Sequence, residues 1–447
     1  MDAEILSRVQ FASTIAFHYV FPPMSIGLGL LLVIMEGTYL RTGNELYHQM
    51  TRFWVRIFGL IFALGVSTGI VMEFQFGTNW AAYSRYVGDI FGSLLAAEGV
   101  FAFFLESGFL AILLFGWDKV KPRTHFIATV MVALGAHFSA IWIVVANSWQ
   151  QTPAGYRLVE RGGIARAELT SFWEAVLNPS SFDRITHVYM GAWQAGAFLV
   201  LSVSAFYLLK HKHQAFAKAS IRIALVVAVV ASLLQLVTGH SSAVGVAENQ
   251  SAKLAAFEGH FEVSAPAPMF LAGWADEATE RTVGISVPGL LSWLVTGDTE
   301  TPITGLNAFA PADRPPVNLV FQSFHAMVAI GMGLITVAIV SAIFWWRGTL
   351  VQTRWLLWVL VFAVLGPQFA NQLGWLSAEV GRQPWIVYHL LRTSDALSAA
   401  VSANEILTSL ILFGAIYLLL FILFVYLLNE KIQHGPADVA VHEGRLA

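Results

Sequence analysis

Apolar residues run through this chain in long blocks, separated by short clusters of Lys, Arg, Asp and Glu. Nine blocks reach about 20 residues or more, the length a helix needs to cross a bilayer. They fall at roughly 12–40, 54–76, 91–117, 125–148, 184–209, 219–240, 318–346, 354–376 and 405–428. Backbone groups in lipid must bond within their own segment, so each block is expected to be a helix. The pattern predicts an all-α polytopic membrane protein with nine transmembrane helices. No internal repeat of the kind that marks many transporters is visible.

Composition agrees. The 447 residues are 57% hydrophobic and 12% charged, about half the charge fraction of a soluble chain. There is no cysteine, which removes disulfides, thiolate-bound iron–sulfur clusters and CxxCH haem attachment. A net charge of −3 gives no case for nucleic acid. The start, MDAEILSRVQFAS, lacks a basic n-region and a small-residue cleavage site, so no signal peptide is expected. Of the 25 Lys and Arg, 14 lie in the short connections and tail that share one side when the N-terminus is outside. The expected orientation is therefore N-out, C-in.

The connection from about 241 to 317 is long and rich in Glu, Asp, Pro and Gly, and loops of that length are usually functional or disordered. Its stretch ISVPGLLSWL is too short to span and is expected at the membrane interface. This divides the chain into 1–240 (helices 1–6), the outer loop 241–317, 318–430 (helices 7–9) and an inner tail 431–447.

Ionisable groups inside spans are costly and are functional candidates by default. His18, Glu98, Glu106, His137, His187, His325 and Glu379 are of this kind. With the helical rise, His18, Glu98, His187, His325, Met327 and Glu379 fall in one slab roughly 5–15 Å below the outer surface. Histidine, methionine and carboxylate at one depth suggest metal or haem, whose iron accepts His and Met as an axial pair. Gly191 and Gly331 follow His187 and Met327 at i+4, on the same faces, where a flat macrocycle could lean; close helix packing is the alternative use of glycine there. Glu98 and Glu106 are separated by about 80° on a regular helix. They are candidates for successive stations in a proton path. His137 either joins that path or satisfies a neighbour, and the neighbour is favoured.

Four motifs, FALGVSTGIVMEFQFGTNW (62–80), YVGDIFGSLLAAEGVFAFFLES (86–107), KLAAFE (253–258) and GWLSAEVGRQPW (374–385), resemble subunit I of cytochrome bd-type quinol oxidases. The likeness runs in order along nearly the whole chain, and GRQPW is its most specific mark. It implies haems near the outer side. His187 and Met327 would be axial ligands of a low-spin haem b. His18 and Glu379 would serve a high-spin haem b and a haem d, or a further haem b, one of which reduces oxygen. Glu98 would stand beside that pair, Glu106 with Ser107 at the proton-conducting end, and Trp375 between haems. Arg382 would offset haem propionate or ligand charge, since guanidinium pairs carboxylates bidentately. Lys253 and Glu258 would belong to the quinol site of the outer loop, called the Q-loop. A second membrane subunit, and in some members a small single-span one, would accompany the chain in the bacterial cytoplasmic membrane.

Two features depart from the commoner pattern. His325 stands in FHAMV where many members have FRxMV, exchanging a permanent charge for a titratable ring. The loop runs from TPITGLNAFAPADRPP directly into the seventh span, which marks a short-Q-loop form, in the group that includes cyanide-insensitive oxidases. The function implied is a terminal oxidase that takes electrons from quinol and reduces O2 to water, electrogenic without pumping. A haem–copper oxidase would need adjacent histidines, and none are adjacent here. A proton-coupled transporter and a cytochrome b that never meets oxygen are the rival readings.

Overall fold

The computed structural model describes residues 2–436. Most of the expected tail, 437–447, and Arg445 with it, lies outside the described residues. Nine helices among these are long and apolar enough to span a bilayer. They are α1 (Ala3–Thr42), α2 (Glu45–Thr78), α3 (Ala81–Phe115), α4 (Pro122–Gln151), α5 (Ser181–Leu209) and α6 (Gln214–Asn249), then α7 (Val317–Trp346), α8 (Arg354–Val380) and α9 (Ala403–His434). The expected blocks all stand, but several helices run further. Polar residues continue the helices beyond the apolar blocks: α6 extends to Asn249, past the end expected near 240.

Local chemistry sets several boundaries. Gly43, at φ 66°, closes α1, and the Asn44 side chain accepts from Leu46 N at 3.0 Å to open α2. Gly takes this left-handed conformation at no steric cost. Ser402 and Glu405 form a reciprocal capping box at the start of α9, satisfying two otherwise orphaned N–H groups.

The centre of the bundle is α5, whose apolar stretch is 83% buried, against 11% for α9. Its run GAWQAGA is rich in small residues, so neighbouring backbones come close. A Cβ at Gly27 of α1 would lie 2.2 Å from Ala192 O, and one at Gly196 would strike the Gly27 backbone. Either glycine replaced by alanine would force α1 and α5 apart.

Most connections at one end are short, and the longer ones gather at the other, where the chain also turns at 79–80. Those after α1, α3, α5 and α7 are short turns; those after α4, α6 and α8 fold over one end of the bundle, here termed the loop end. They carry three antiparallel hairpins that the helical pattern did not predict: β1 (Tyr156–Arg161) with β2 (Ile164–Leu169), β3 (Met269–Asp276) with β4 (Arg281–Val287), and β5 (Trp385–Val387) with β6 (Leu391–Arg392). The loops interlock: Tyr388 N donates to Gln150 O and Ser398 N to Asn79 O, both at 2.9 Å.

The long connection after α6 is folded. A short helix, Ser251–Glu258, packs against α6 and the start of α7 with nearly every residue buried. ISVPGLLSWL divides between β4 and a helix, Leu290–Thr296. Leu291 is buried against Leu254, Ala267 and Ile303, while Val283, Ile285 and Trp293 are exposed. One face of the stretch builds the loop and the other is apolar surface.

Candidate functional site

Pro22 and Pro23 lack an N–H and cannot continue a helix. They break α1 at Tyr19–Val20, so that His18 ends its first segment. His18 Nδ1 lies 2.9 Å from Thr68 Oγ1 on α2. That hydroxyl already donates to Leu64 O at 2.7 Å, so it accepts from the ring. The proton therefore sits on Nδ1 and the Nε2 lone pair is free, the tautomer that a metal-ligating histidine needs. A Cβ at Gly69 would lie 3.2 Å from His18 Cε1.

His187 on α5 also faces a threonine of the next helix, its Nδ1 3.3 Å from Thr238 Oγ1 on α6, but the Gln235 amide nitrogen lies beside the ring as well, 3.1 Å from Nδ1 and 3.0 Å from Nε2. The Oε1 of that glutamine is buried without a partner. A Cβ at Gly239 would lie 3.3 Å from His187 Cε1. Met327 on α7 points at α8, where a Cβ at Gly374 would come 2.9 Å from its sulfur. Glycine thus crowds all three donors, but from neighbouring helices. The i+4 glycines behave otherwise: a Cβ at Gly191 would lie 2.7 Å from Asn371 Oδ1, marking a close helix contact, and Gly331 faces open space.

Glu379, in the last turn of α8, is the hub of a charged cluster. Asn147 Nδ2 and Gln151 Nε2 each donate to its Oε1 at 3.1 Å, and Arg382 Nη2 to its Oε2 at 2.5 Å. Arg184 Nη2 donates to Asn147 Oδ1. Lys253 Nζ donates to Gln151 Oε1, and to Gln250 Oε1 at 2.5 Å. Lys253 is 2% exposed. Burial first, then Arg184 and Arg382, hold its amine well below the ordinary lysine range, with Glu379 opposing. Three basic side chains meet one carboxylate here. Arg382 Nη1 and Arg184 Nε are buried without partners, a costly state for a donor. Trp375 lies between the sets: its ring meets Tyr19, next to His18, edge-on at 5.4 Å, and Arg184, a turn from His187, lies over it at 5.4 Å.

Glu98 and Glu106 are closer in azimuth than a regular helix allows. Gly99–Phe103 is a π-helical turn, a feature frequent at functional sites. One inserted residue removes ~100° of rotation, leaving about 20° in place of the expected ~80°. Both therefore face α4. Ser139 Oγ donates to Glu98 Oε1 at 2.8 Å, and a turn away a Cβ at Gly135 would lie 2.8 Å from Glu106 Cβ. Glu73 on α2 lies within electrostatic reach of Glu98. Ser107 points elsewhere: it is exposed, and its hydroxyl donates to Phe103 O at 2.8 Å. His137 is occupied by neighbours, with Nδ1 2.7 Å from Ala133 O and Nε2 accepting from Trp193 Nε1 at 3.0 Å.

Residues 6–436 match the family model described as cytochrome bd terminal oxidase subunit I. The chain belongs to this family. It is 39% identical over 454 residues to cytochrome bd ubiquinol oxidase subunit 1 of Bacillus subtilis (strain 168), covering 99% of this chain and 96% of that one. It is 36% identical over 503 residues to cytochrome bd-II ubiquinol oxidase subunit 1 of Escherichia coli (strain K12), covering 98% and 97%. Among solved structures it is similar to the bd oxidase from Geobacillus thermodenitrificans, with TM-score 0.89, 30% identity and coverage of 97% of this chain and 99% of that one. As a bd oxidase subunit I, it is a multi-pass membrane protein, one component of a respiratory oxidoreductase with at least a second subunit, and its family carries haem.

The residues fit such a group. The candidate donors are two imidazoles, a thioether and a carboxylate, and glycines stand against three of them. Unpartnered guanidinium N–H groups lie beside Glu379, as a macrocycle with carboxylate arms requires. Among the described residues no three His, Asp or Glu gather as a metal cage.

Three expected residues stand away from these donors. His325 is two residues from Met327, about 200° around the helix. Its nitrogens face Phe321 O at 2.9 Å and Phe270 O of β3 at 2.7 Å. These contacts tie the loop to α7. Ser107 is the second, turned away from Glu106. Glu258 is the third, five residues from Lys253 and about 140° around the short helix. It is buried with Oε2 unpartnered, and burial pushes its carboxyl up to about 8. Sequence reading missed Arg184, Asn147, Gln151, Thr68 and the three crowding glycines. An arginine one turn before His187, at the start of an apolar block, was the one available signal.

Proposed function

We propose that this subunit oxidises quinol at the loop end and reduces O2 to water at a pair of high-spin haems. The relatives named ubiquinol oxidase subunit 1 support quinol as substrate. The observation that carries the reading is the junction at Lys253. The helix of the long loop delivers this buried lysine into the cluster that holds Glu379, so the loop and the ligand end of α8 form one site.

In this reading His187 and Met327 hold a low-spin haem b, and His18 and Glu379 serve a high-spin haem b and a haem d or further haem b. Bound there, the haems supply one-electron transfer and oxygen reduction. The chain does the rest. Thr68 fixes the His18 tautomer, and Thr238 faces the His187 ring. Arg382 and Arg184 neutralise carboxylates in a dry site, where unpaired charge is costly. Lys253 orients a quinol oxygen, and Glu258 accepts a proton as quinol is oxidised. Residues 241–317 form the quinol domain. Helices 1–6 and 7–9 divide the ligands between them, and Glu106 passes protons to Glu98 along the α4 face. His325 holds β3 on α7 and so sets the height of the quinol loop.

The proposed orientation places the loop end outside, N-out and C-in, in the bacterial cytoplasmic membrane, with the second subunit and, in some assemblies, a small single-span one alongside. Protons then leave outward and are drawn from inside, which is electrogenic without a pump. The test is oxygen consumption driven by quinol in the two-subunit enzyme. Lys253→Ala should depress quinol turnover while haem content stays intact; loss of all haem contradicts the role given to Lys253. Purified protein without haem bands would favour a transporter.

A further inference from the structure

The hairpin of β3 and β4 lies with one edge against α7. Asn318 Oδ1 accepts from Ala275 N at 3.3 Å, Gln322 Nε2 donates to Gly273 O at 2.7 Å, and His325 Nε2 lies 2.7 Å from Phe270 O. These partners span about 10 Å of helix and about 16 Å of strand. The strand therefore runs steeply along α7, with the hairpin tip beyond the start of that helix. The two faces of the hairpin differ. On one, Ala275 is buried with Phe321, and Thr282 Oγ1 donates to Gly259 O at 2.5 Å. On the other, the pair of Trp274 with Val283 stands beside the pair of Ala272 with Ile285. Trp274, Val283 and Ile285 are 62%, 74% and 70% exposed. Charge is confined to the tip, which reads DEATER (276–281).

We propose that this apolar face is seated in the bilayer surface, with Ile285 at the edge of the acyl chains and Trp274 at headgroup level. Depth and continuity choose lipid as its partner. The helix α7 has 30 residues, about 45 Å at the helical rise, against a hydrocarbon core of about 30 Å. Trp346 and Arg347 close it at the end away from the loops. About 20 residues back from Trp346, the core ends near position 326. His325, and with it the Phe270 end of the hairpin, stands at that boundary. Trp274, close to the level of Gln322, lies about 5 Å above it, where tryptophan concentrates. Below the hairpin, Met332 and Ile339 follow His325 by seven and fourteen residues, within about 40° of its bearing. Both are exposed, so the strip of α7 directly beneath is lipid-facing surface and the hairpin continues it. A charged end in water and an apolar face at the acyl boundary are the marks of an interfacial segment. In water the same face would wet three large apolar side chains together. The seat does not depend on which substrate the long loop meets.

The test uses the whole two-subunit oxidase in nanodiscs of phosphatidylglycerol and phosphatidylcholine, without quinol. Val283→Cys, Ile285→Cys and, at the tip, Ala278→Cys are made singly and given a nitroxide. This chain has no cysteine, and the unsubstituted enzyme treated with the same label supplies the background. Electron paramagnetic resonance then compares collisions with oxygen, which concentrates in the bilayer, and with a water-soluble nickel chelate. Labels at 283 and 285 should favour oxygen, 285 the more strongly, and the label at 278 should reverse that preference. Chelate access at 283 and 285 equal to that at 278 overturns the proposal, because the face is then in water. Protection from both reagents overturns it as well, because a protein surface, the small subunit or a second copy, then covers the face. Both substituted strand positions are exposed, and unchanged haem content certifies each variant; if one loses haem, the other carries the comparison with 278.

Discussion

His187 and Met327 are held by neutral groups: a threonine hydroxyl, a glutamine amide and close glycines. Glu379 is held by charge, among Arg382, Arg184 and Lys253. Shape decides the first set, because a side chain added at Gly239 or Gly374 would displace a donor. Electrostatics decide the second, because removing one member of a partly buried charge cluster leaves the others uncompensated. The two sets should therefore fail differently, through volume in one and through charge in the other.

The largest effect is expected where a buried charge loses its partner. Arg382→Gln leaves Glu379 without its closest cation and should cost about 3 kcal/mol, at the low end for buried pairs because 32% of the Glu379 side chain is exposed. Thermal unfolding of the two-subunit enzyme measures this, and an unchanged midpoint would show that charge does not govern the second set. Gly374→Leu comes next. It overpacks the Met327 sulfur at about 1–3 kcal/mol and should perturb the low-spin haem alone; a shift confined to the high-spin haems would reverse the comparison. Thr68→Val removes the acceptor that fixes His18 and should weaken haem retention there by about tenfold, read by haem extraction.

The smallest effect is a pH dependence. Glu258 is raised from 4.5 to about 8 by burial. Between those values the native state holds a proton that the unfolded chain has released. Its stabilising share is thus full below the lower value and lost as pH rises through the higher. As the proposed base it must ionise, so quinol turnover should rise with pH through about 8, a limb that Glu258→Gln should abolish. A wild-type profile flat across that range would remove Glu258 from the chemistry.

Much of this was legible in the sequence. Nine helices follow from apolar length alone, and the histidine and carboxylate candidates stand out because ionisable groups are rare in such blocks. What could not be read depends on contacts between helices. The glycines that crowd His18, His187 and Met327 lie 51, 52 and 47 residues from their partners, a relation invisible to i+4 reasoning. The π turn at Gly99–Phe103 changed the bearing of Glu106, and no residue in GVFAF announces it. The hairpins escaped because their strands are short and lie within loops already marked by Pro and Gly.

The central claim is that separate helices grip haem iron near the loop end, with His187 and Met327 as one axial pair. The most direct measurement is the reduced-minus-oxidised spectrum of the purified two-subunit enzyme carrying Met327→Leu, beside the wild type. The low-spin band should be lost or converted to high spin while the carbon-monoxide-reactive haems persist. A low-spin band identical to the wild type's would contradict the assignment.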